Sequence, residues 1–230
     1  MEKSSISTHL THLHTQIRQA EQQYQRPTDS VDLLAVSKTQ PIANILAAVD
    51  AGQNRFGESV VQEALLKISA LQSMAPPLEW HFIGRIQSNK TQDIATHFAW
   101  VHGVDRLKIA QRLSEQRPKA APALNVLLQV NIDGVPNKAG VLPHQLAPLA
   151  HEVAQLPGLN LRGLMAIPEP DLDVNQQRHY FRQVRQLQES LTLQNLFLDT
   201  LSMGMSGDFE AAIAEGATLV RLGTALFGKR

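Results

Sequence analysis

Lys38 is the residue of this sequence whose type and setting most directly suggest chemistry. It follows an apolar, partly β-branched run at residues 31–36, which predicts one short buried strand. Pro41 then suits the first turn of a helix that begins just after it. Because an amine that loses its hydration has a lowered pKa, a lysine in this setting can attack a carbonyl and form a Schiff base. A solvated loop lysine is the alternative, and the rest of the chain has to decide between the two.

A second group of residues, small and hydroxyl-bearing, is suited to binding an anion. Its members are Gly204, Ser206, Gly207, Gly223 and Thr224. The first three precede a short predicted helix at residues 209–215, for which Asp208 is the expected cap. Glycines let backbone N–H groups approach a ligand, and hydroxyls add further donors. Tight turns without any ligand are the other interpretation of these glycines.

The elements that must position these residues alternate between strands and helices. The predicted strands cover residues 31–36, 53–59, 78–84, 100–104, 124–130, 159–167, 200–205 and 218–227. The predicted helices cover residues 5–25, 42–51, 60–71, 88–98, 106–117, 143–155, 174–191 and 209–215. This order predicts an α/β fold in which eight units close a single (β/α)8 TIM barrel, with an extra N-terminal helix that covers the gap after the last strand. A doubly wound open sheet is the alternative.

A barrel brings the C-terminal ends of its strands together, and polar residues recur at that end of these strands. The residues expected at this edge are Lys38, Asn54, Glu58, Ser59, His81, Gly84, Asn131, Met165, Ile167, residues 202–206 and residues 221–224. Phosphate sites in barrels often occupy the loops after the seventh and eighth strands, where the glycines of this sequence lie. The convergence therefore favours a ligand site over isolated surface residues.

A lysine and a phosphate site at one barrel mouth predict a phosphorylated aldehyde as the ligand, and pyridoxal 5′-phosphate (PLP) is the obvious one. Arg221 would then face the nitrogen of the pyridine ring. Because an arginine does not give up its proton, it would leave that nitrogen unprotonated and weaken the ring as an electron sink. A structural ion pair is the alternative for Arg221. His81 either stacks on the ring or is a packed polar side chain.

Composition narrows the classes of function. Lys+Arg and Asp+Glu are both 21, and this zero net charge argues against a nucleic-acid partner. The absence of cysteine excludes disulfides, thiolate catalysis and cysteine metal sites. No apolar run approaches the ~20 residues of a membrane span, and the polar N-terminus lacks a signal peptide core. We expect a cytoplasmic protein with no membrane partner, in one domain over residues 1–230.

Six stretches of the sequence together resemble the YggS/PROSC family of PLP-binding proteins, also called PLP homeostasis proteins. They read AVSKTQP, NRFGES, WHFIGRIQSNK, LLQVNI, LRGLMAIP and LSMGMSGDFEAAIAEGATLVRLGTALFG. The resemblance runs over residues 33–228, and several of these motifs are long and specific. It implies a barrel similar to the N-terminal domain of alanine racemase. It also implies a cytosolic protein that binds PLP and affects vitamin B6 and amino-acid balance without an established catalytic activity.

The resemblance implies roles for individual residues as well. Lys38 in AVSKT would form the Schiff base, and Arg221 would face the ring nitrogen. Ser206, Gly223 and Thr224 would bind the phosphate. The remaining pocket residues would be Asn54, His81, Asn131 and Met203. No catalytic residue and no metal ligand are implied.

Two departures from the family pattern concern loops. Ser59 stands where the family commonly has asparagine after FGE, and the loop after VNI reads DGVPNKAG, in which Lys138 is kept. These differences concern loop contacts rather than the residues of the PLP site. Whether Lys138 or Lys229 forms a second, weaker PLP contact stays open.

Three functions fit these features, and we rank them in the following order. The first is a PLP carrier or regulator without turnover, because Tyr24 and Tyr180 both fall on predicted outer helices and neither can act as a general base beside the aldehyde. The second is a true PLP enzyme, such as an amino-acid racemase that acts with a partner or as a dimer. The third is an aldolase that uses Lys38 directly on a phosphorylated sugar. Expected partners are PLP and, as candidate recipients, PLP-dependent apo-enzymes, and the protein is expected to be a monomer.

Overall fold

Short apolar runs of the sequence become the strands of a closed barrel. In the computed structural model, which describes residues 3–170 and 172–228, eight parallel strands follow one another around the barrel and the last pairs with the first. They are β1 (Asp32–Val36), β2 (Arg55–Glu58), β3 (Glu79–Phe82), β4 (Trp100–Val104), β5 (Leu124–Val130), β6 (Leu159–Ala166), β7 (Thr200–Ser202) and β8 (Leu219–Leu222). The TIM barrel prediction is confirmed, and the open doubly wound sheet is wrong.

Helices surround the barrel because each carries an apolar face that the strands cover. They are α1 (Lys3–Gln23), α2 (Ile42–Asp50), α3 (Val61–Leu71), α4 (Thr91–His97), α5 (Leu107–Gln116), α6 (Pro143–Ala154), α7 (Val174–Thr192), α8 (Phe209–Ala214) and α9 (Thr224–Phe227), and a short 3-10 turn (Ser88–Lys90) precedes α4. The hydrophobic core lies between strands and helices. None of the helices in the described part of the chain is long and apolar enough to cross a membrane.

The N-terminal helix is part of this layer. The apolar stripe predicted from its sequence is buried throughout, at Ile6, Leu10, Leu13, Ile17 and Ala20. With this stripe α1 packs against α2, α8 and α9, beside the seam where β8 meets β1. The predicted covering role of the extra N-terminal helix is confirmed.

The last predicted strand, residues 218–227, is wrong in its second half. β8 ends at Leu222, and a helical turn, α9, follows it. The turn buries Leu226 and Phe227 next to α1, and His9 Nδ1 lies 3.0 Å from the carbonyl oxygen of Leu226. An apolar run of this length fits either a strand or a short buried helix, and here the contact with α1 favours the helix.

Candidate functional site

The C-terminal ends of the strands surround a cavity of about 330 Å³. Its lining residues are Val36, Lys38, Ser59, Ile83, Ile167, Met205, Ser206, Gly207, Arg221, Gly223 and Thr224. Four elements that are far apart in sequence contribute the polar groups: the ends of β1 and β2 and the loops after β7 and β8. The structure thus brings together Lys38, Ser206, Arg221, Gly223 and Thr224, as the sequence predicted.

Lys38 reaches this cavity from a sharp turn that follows β1. The N–H of Gln40 donates to the carbonyl oxygen of Ser37 at 3.0 Å, which closes the turn. Thr39 lies at φ +64°, in the left-handed region that costs a residue other than glycine some energy. Its N–H donates to Oε1 of Glu63. The turn keeps the Lys38 side chain half-buried along the cavity instead of free in solvent.

A buried network of charged side chains contacts the same turn. Lys67 Nζ donates to Glu58 Oε1 at 2.8 Å, to Glu63 Oε1 at 2.6 Å and to the carbonyl oxygen of Ser37 at 2.7 Å. Ser37 Oγ also donates to Glu58 Oε1, at 2.6 Å. Burial raises the pKa of Glu58, although the hydrogen bonds from Lys67 and Ser37 oppose this change. The backbone on both sides of Lys38 is therefore anchored to one network.

The loops after β7 and β8 form the part of the cavity wall that adjoins the end of β1. Among the described residues, the backbone N–H groups of Ser206, Gly207 and Thr224 donate no hydrogen bond to the protein. The hydroxyl oxygen of Ser206 accepts the N–H of Ala225 at 3.3 Å, which ties the two loops together. A Cβ built on Gly207 would meet no atom within 4 Å. These loops offer free backbone donors next to open space, as an anion site requires.

Two residues of the loop after β7 have structural roles. Asp208 precedes α8, but its carboxylate accepts the N–H of Met205 and caps no helix N–H, so the predicted cap is wrong. Burial raises the pKa of Asp208, and this N–H bond opposes the change. Gly204 lies at φ +97°, and a Cβ there would approach Ala212 Cβ to 2.8 Å. Gly204 therefore serves the close packing of the turn on α8.

Arg221 lies at the bottom of the cavity, at the third position of β8. Its side chain is buried, and it donates from Nη1 to Ser202 Oγ at 2.8 Å and from Nη2 to the carbonyl oxygen of Ala166 at 3.0 Å. Burial lowers the pKa of Arg221 to about 10, with the negative charge of Asp208 opposing the change. The guanidinium still carries its charge at neutral pH. Its two partners are neutral oxygens, so the structural ion pair alternative finds no support.

Two residues that the sequence placed at this edge lie elsewhere. Asn54 is exposed and precedes β2, which begins at Arg55, so it is at the N-terminal end of the barrel. The predicted strand started too early, and the residue that follows the strand at the cavity edge is Ser59. His81 lies inside the barrel on β3, where its ring contacts His102 and lines a different cavity. The predicted positions of Asn54 and His81 beside Lys38 are therefore wrong. For His81 the structure supports the alternative, a packed polar side chain.

Asn131 and Met203 follow β5 and β7 at the expected end, yet neither lines the cavity. Asn131 donates from Nδ2 to the carbonyl oxygen of Val135 at 2.9 Å, and its Oδ1 is buried without a hydrogen-bond partner. Met203 is fully buried in the core. Lys138 forms an ion pair with Asp133 in the same loop as Asn131. Lys229, the other candidate for a second contact, lies outside the described residues.

Sequence reasoning missed Lys67 and Ile83, whereas Met205 falls within residues 202–206, which were expected at this edge. The spacing of Glu63 and Lys67, four residues apart on α3, predicts a surface ion pair. Nothing in the sequence shows that Lys67 is 6% exposed and meets Glu58, because that contact depends on how α3 packs on β2. Ile83 has the apolar type of any core residue, and only the barrel closure places it along the cavity.

Comparison with known proteins defines the class to which this fold and site belong. The family model described as "Alanine racemase, N-terminal domain" matches residues 8–230. A solved alanine racemase from Corynebacterium glutamicum superposes with a TM-score of 0.69 at 16% identity, covering 99% of this chain and 61% of that chain. At this identity the likeness is one of fold alone. The class is thus the barrel of the alanine racemase N-terminal domain.

Closer relatives define the family within that class. The pyridoxal phosphate homeostasis protein of Pseudomonas aeruginosa is 56% identical over 99% of this chain and 96% of its own length. That of Vibrio cholerae is 52% identical over 98% of this chain and 97% of its own length. PipY of Synechococcus elongatus, whose structure has PLP bound, superposes with a TM-score of 0.86 at 39% identity, covering 97% of this chain and all of that one. The chain belongs to the family of pyridoxal phosphate homeostasis proteins.

Proposed function

We propose that this protein, one barrel domain over residues 1–230, holds PLP as a Schiff base on Lys38. It would act in intracellular PLP and amino-acid homeostasis without turnover of its own. The observation that carries the proposal is that Lys38, Arg221 and the donors of two loops line a single cavity. When bound, PLP supplies an aldehyde that condenses with an amine and a ring that withdraws electrons. The PLP-bound structure of PipY supports the same ligand for this chain.

The residues present fit PLP in size and in chemistry. The cavity of about 330 Å³ falls in the range of small-molecule pockets, roughly 300–1,000 Å³. The free N–H groups of Ser206, Gly207 and Thr224, together with two hydroxyls, suit a phosphate. Lys38 supplies the amine from the turn after β1. Ile83 and Ile167 supply apolar surface on which a ring can lie.

Arg221 suits the proposed position at the ring nitrogen. A guanidinium has only donors, so a ring nitrogen that faces it accepts a hydrogen bond and stays unprotonated. A pyridine ring whose nitrogen is unprotonated withdraws electron density from a bound amine less strongly than a protonated ring does. The hydrogen bonds to Ser202 and Ala166 hold the guanidinium in place. This arrangement favours holding the cofactor over carbanion chemistry.

The lining of the cavity also favours a carrier over a racemase. A racemase needs a base on each face of the substrate carbon. Apart from Lys38, the described residues that line this cavity include no histidine, tyrosine, aspartate or glutamate. Tyr180 lies on the outer helix α7, and Tyr24 lines a separate cavity near the end of α1. Only one proton-accepting amine is in place.

The proposed partners follow from the openness of the site. Met205, Ser206 and Thr224 are exposed, so the phosphate end of the cavity reaches solvent. Release of PLP to PLP-dependent apo-enzymes in the cytoplasm requires such access. One chain supplies every described residue that lines the proposed site, so a monomer is sufficient for it, and the monomer expected from the sequence stays part of the proposal.

The test is the absorbance spectrum of the purified protein with PLP, before and after borohydride reduction. We expect a visible Schiff base band that reduction abolishes, and a covalent adduct on the peptide containing Lys38. Lys38→Ala should lose both, whereas Lys108→Ala, a change at an exposed lysine on α5, should keep them. A protein that stays colourless with added PLP would contradict the proposal. Turnover of an amino acid in a racemisation assay would show that the protein is a racemase and not a carrier without turnover. Trapping of a phosphorylated sugar on Lys38 by borohydride would favour the aldolase function.

A further inference from the structure

A row of polar side chains runs through the barrel interior away from Arg221. Arg221 Nη1 lies 2.8 Å from Ser202 Oγ, and Ser202 Oγ lies 2.9 Å from His102 Nδ1. His102 Nε2 lies 2.9 Å from His81 Nδ1, and His81 Nε2 lies 3.0 Å from Glu79 Oε1. Four strands contribute to the row, which uses both ring nitrogens of each histidine. TIM barrel interiors are usually filled by branched apolar side chains, so a continuous polar row needs an explanation.

The two ends of the row fix the direction of every hydrogen bond in it. A guanidinium only donates and a carboxylate only accepts. Glu79 therefore receives the Nε2 proton of His81, whose Nδ1 then accepts from Nε2 of His102. Nδ1 of His102 accepts the hydroxyl proton of Ser202, and the Ser202 oxygen is left to accept from Arg221. Each donor points from the cofactor site toward Glu79.

This assignment requires that both histidines are neutral and that Glu79 is ionised. Burial lowers the pKa of His81, although Glu79 opposes the change. Burial lowers the pKa of His102 well below its usual value, and the positive charge of Arg221 adds to the effect. The hydrogen bond from His81 lowers the pKa of Glu79. At neutral pH the row is therefore in the required charge state.

The row ends in a second cavity, of about 290 Å³, at the N-terminal end of the barrel. It is lined by Ser30, Asp32, Arg55, Glu79, His81, Trp100, Arg162, Asp199, Thr200, Thr218 and Leu219. Here Glu79 is 38% exposed and pairs with Arg55 Nε at 3.1 Å. Arg55 also pairs with Asp32. The charge that ends the row thus lies on the far side of the barrel, in contact with solvent.

We propose that Ser202, His102, His81 and Glu79 are positioning residues that act on the cofactor through Arg221. The carboxylate of Glu79 selects the tautomers of the two histidines, so that the Ser202 hydroxyl proton points to His102 and its oxygen faces Arg221. The guanidinium is then held in one orientation toward the ring nitrogen. This inference deepens the proposed function and rests on it, because Arg221 is taken to face PLP.

The charged groups around Glu79 supply a matched control. Asp32 lies in the same cavity and pairs with the same arginine, Arg55, but it contacts no histidine in the row. Glu79→Gln and Asp32→Asn each remove one negative charge with little change of volume. Only the first replaces the acceptor-only end of the row, because a glutamine amide can either donate to or accept from His81.

The first experiment needs no cofactor. Nitrogen-15 NMR of the histidine rings in the apo protein reports the tautomers directly. We expect His81 and His102 to be neutral and protonated at Nε2 at pH 7, in the wild type and in Asp32→Asn. Glu79→Gln should populate the Nδ1-protonated form of both rings. Nδ1-protonated rings in the wild type, or no change in Glu79→Gln, would overturn the inference.

The second experiment measures PLP binding by absorbance titration. Glu79→Gln should raise the dissociation constant about fivefold, the effect of one ordinary hydrogen bond, while Asp32→Asn should leave it unchanged. Ser202→Ala removes the acceptor itself and should raise it about tenfold. If Glu79→Gln and the wild type had equal dissociation constants for PLP, this result would overturn the inference and leave the proposed function intact. A wild type that forms no Schiff base on Lys38 would overturn the proposed function, whatever tautomers NMR finds.

Discussion

The ammonium group of Lys67 donates a hydrogen bond of 2.7 Å to the carbonyl oxygen of Ser37, the residue directly before Lys38. Two lysines thus lie close together in this structure, and their surroundings separate their roles. An ammonium group has three donors, and Lys67 uses them on Ser37, Glu58 and Glu63. Lys67 has all three of its donors engaged within the protein and is not among the residues that line the cavity. Its role is to fix the turn that carries the amine of Lys38.

The first prediction concerns the removal of this buried charge. Lys67→Met should lower the free energy of unfolding by about 3–5 kcal/mol, because Glu58 would be left as a buried carboxylate without its cation. The turn should also loosen, so that borohydride traps PLP on Lys38 more slowly. Urea unfolding at pH 7 measures the first effect, and mass spectrometry of the reduced adduct measures the second.

Two further variants test the cause of that loss. Lys108→Met, at an exposed position on α5, should change the unfolding free energy by less than about 0.5 kcal/mol. In the double variant Lys67→Met with Glu58→Gln, no unpaired charge is buried, so at least half of the lost stability should return. A double variant as unstable as the sum of its single changes would contradict the ion pair explanation.

The second prediction separates two glycines of one loop. Gly207→Ala has open space around its new Cβ, so the unfolding free energy should stay within about 0.5 kcal/mol of the wild type. The methyl group would nevertheless occupy the space where backbone donors approach the phosphate. We expect the PLP dissociation constant to rise at least about tenfold, while pyridoxal without a phosphate binds as before.

Gly204→Ala should show the reverse pattern. Its φ of +97° and the 2.8 Å approach to Ala212 Cβ predict a loss of about 1–3 kcal/mol in unfolding free energy. Calorimetry or urea unfolding separates this loss from an effect on the ligand.

The Gly207 variant decides whether this loop binds the phosphate. If Gly207→Ala bound PLP like the wild type, the loop after β7 would not be the phosphate site.

Much of this fold could be predicted from the sequence because strands and helices carry different periodicities. The apolar run before Lys38 and the stripe of α1 are local patterns, and the structure confirms both. The run at residues 218–227 shows where local pattern fails. Leu226 and Phe227 are apolar in a strand and in a helix alike, and only their contact with α1 decides the outcome.

The site was predictable where a residue follows its strand directly, and unpredictable where the position depended on a strand boundary or on the barrel interior. Lys38 follows the end of β1 by two residues, so a small error in the boundary leaves it at the cavity. For Asn54 an early strand start moved the residue to the wrong end of the barrel. His81 faces inward, and its partner His102 comes from a neighbouring strand whose register the sequence does not reveal.

The third prediction concerns the shape of the cation at the ring nitrogen. Arg221→Lys keeps the positive charge but replaces the planar guanidinium by a compact ammonium group. The guanidinium donates to Ser202 and to the carbonyl oxygen of Ala166 at the same time, and an ammonium group at the end of a flexible side chain does not match this geometry. The PLP dissociation constant should rise about tenfold. Arg85→Lys, in the exposed loop after β3, should leave it unchanged. Absorbance titration measures both, and equal affinities for Arg221→Lys and the wild type would remove Arg221 from the proposed site.

The last prediction concerns the pH dependence of stability at Glu215, which joins α7 to the end of α8. The Glu215 side chain is 3% exposed and accepts hydrogen bonds from Arg178 Nε at 2.8 Å and from Arg182 Nη2 at 2.7 Å. Burial alone would raise the pKa of Glu215, but these two arginines outweigh it and hold the pKa below its usual value near 4.5. Between the lowered pKa and pH 4.5, the unfolded chain binds more protons than the folded one. The contribution of Glu215 to stability is therefore present above pH 4.5 and is lost as the pH falls through the lowered pKa.

Glu215→Gln should therefore reduce the free energy of unfolding by about 1–3 kcal/mol at pH 7, as expected for hydrogen bonds to a buried charge. The difference from the wild type should shrink as the pH is lowered from 7 to well below 4.5, since the wild-type carboxylate becomes protonated as the pH falls through its lowered pKa. Glu210→Gln, an exposed change on the same helix, should stay within about 0.5 kcal/mol of the wild type at every pH. Urea unfolding curves across this pH range measure all three proteins. A difference for Glu215→Gln that is the same at both ends of the range would show that packing, and not the ionised carboxylate with its two arginines, is what Glu215 contributes.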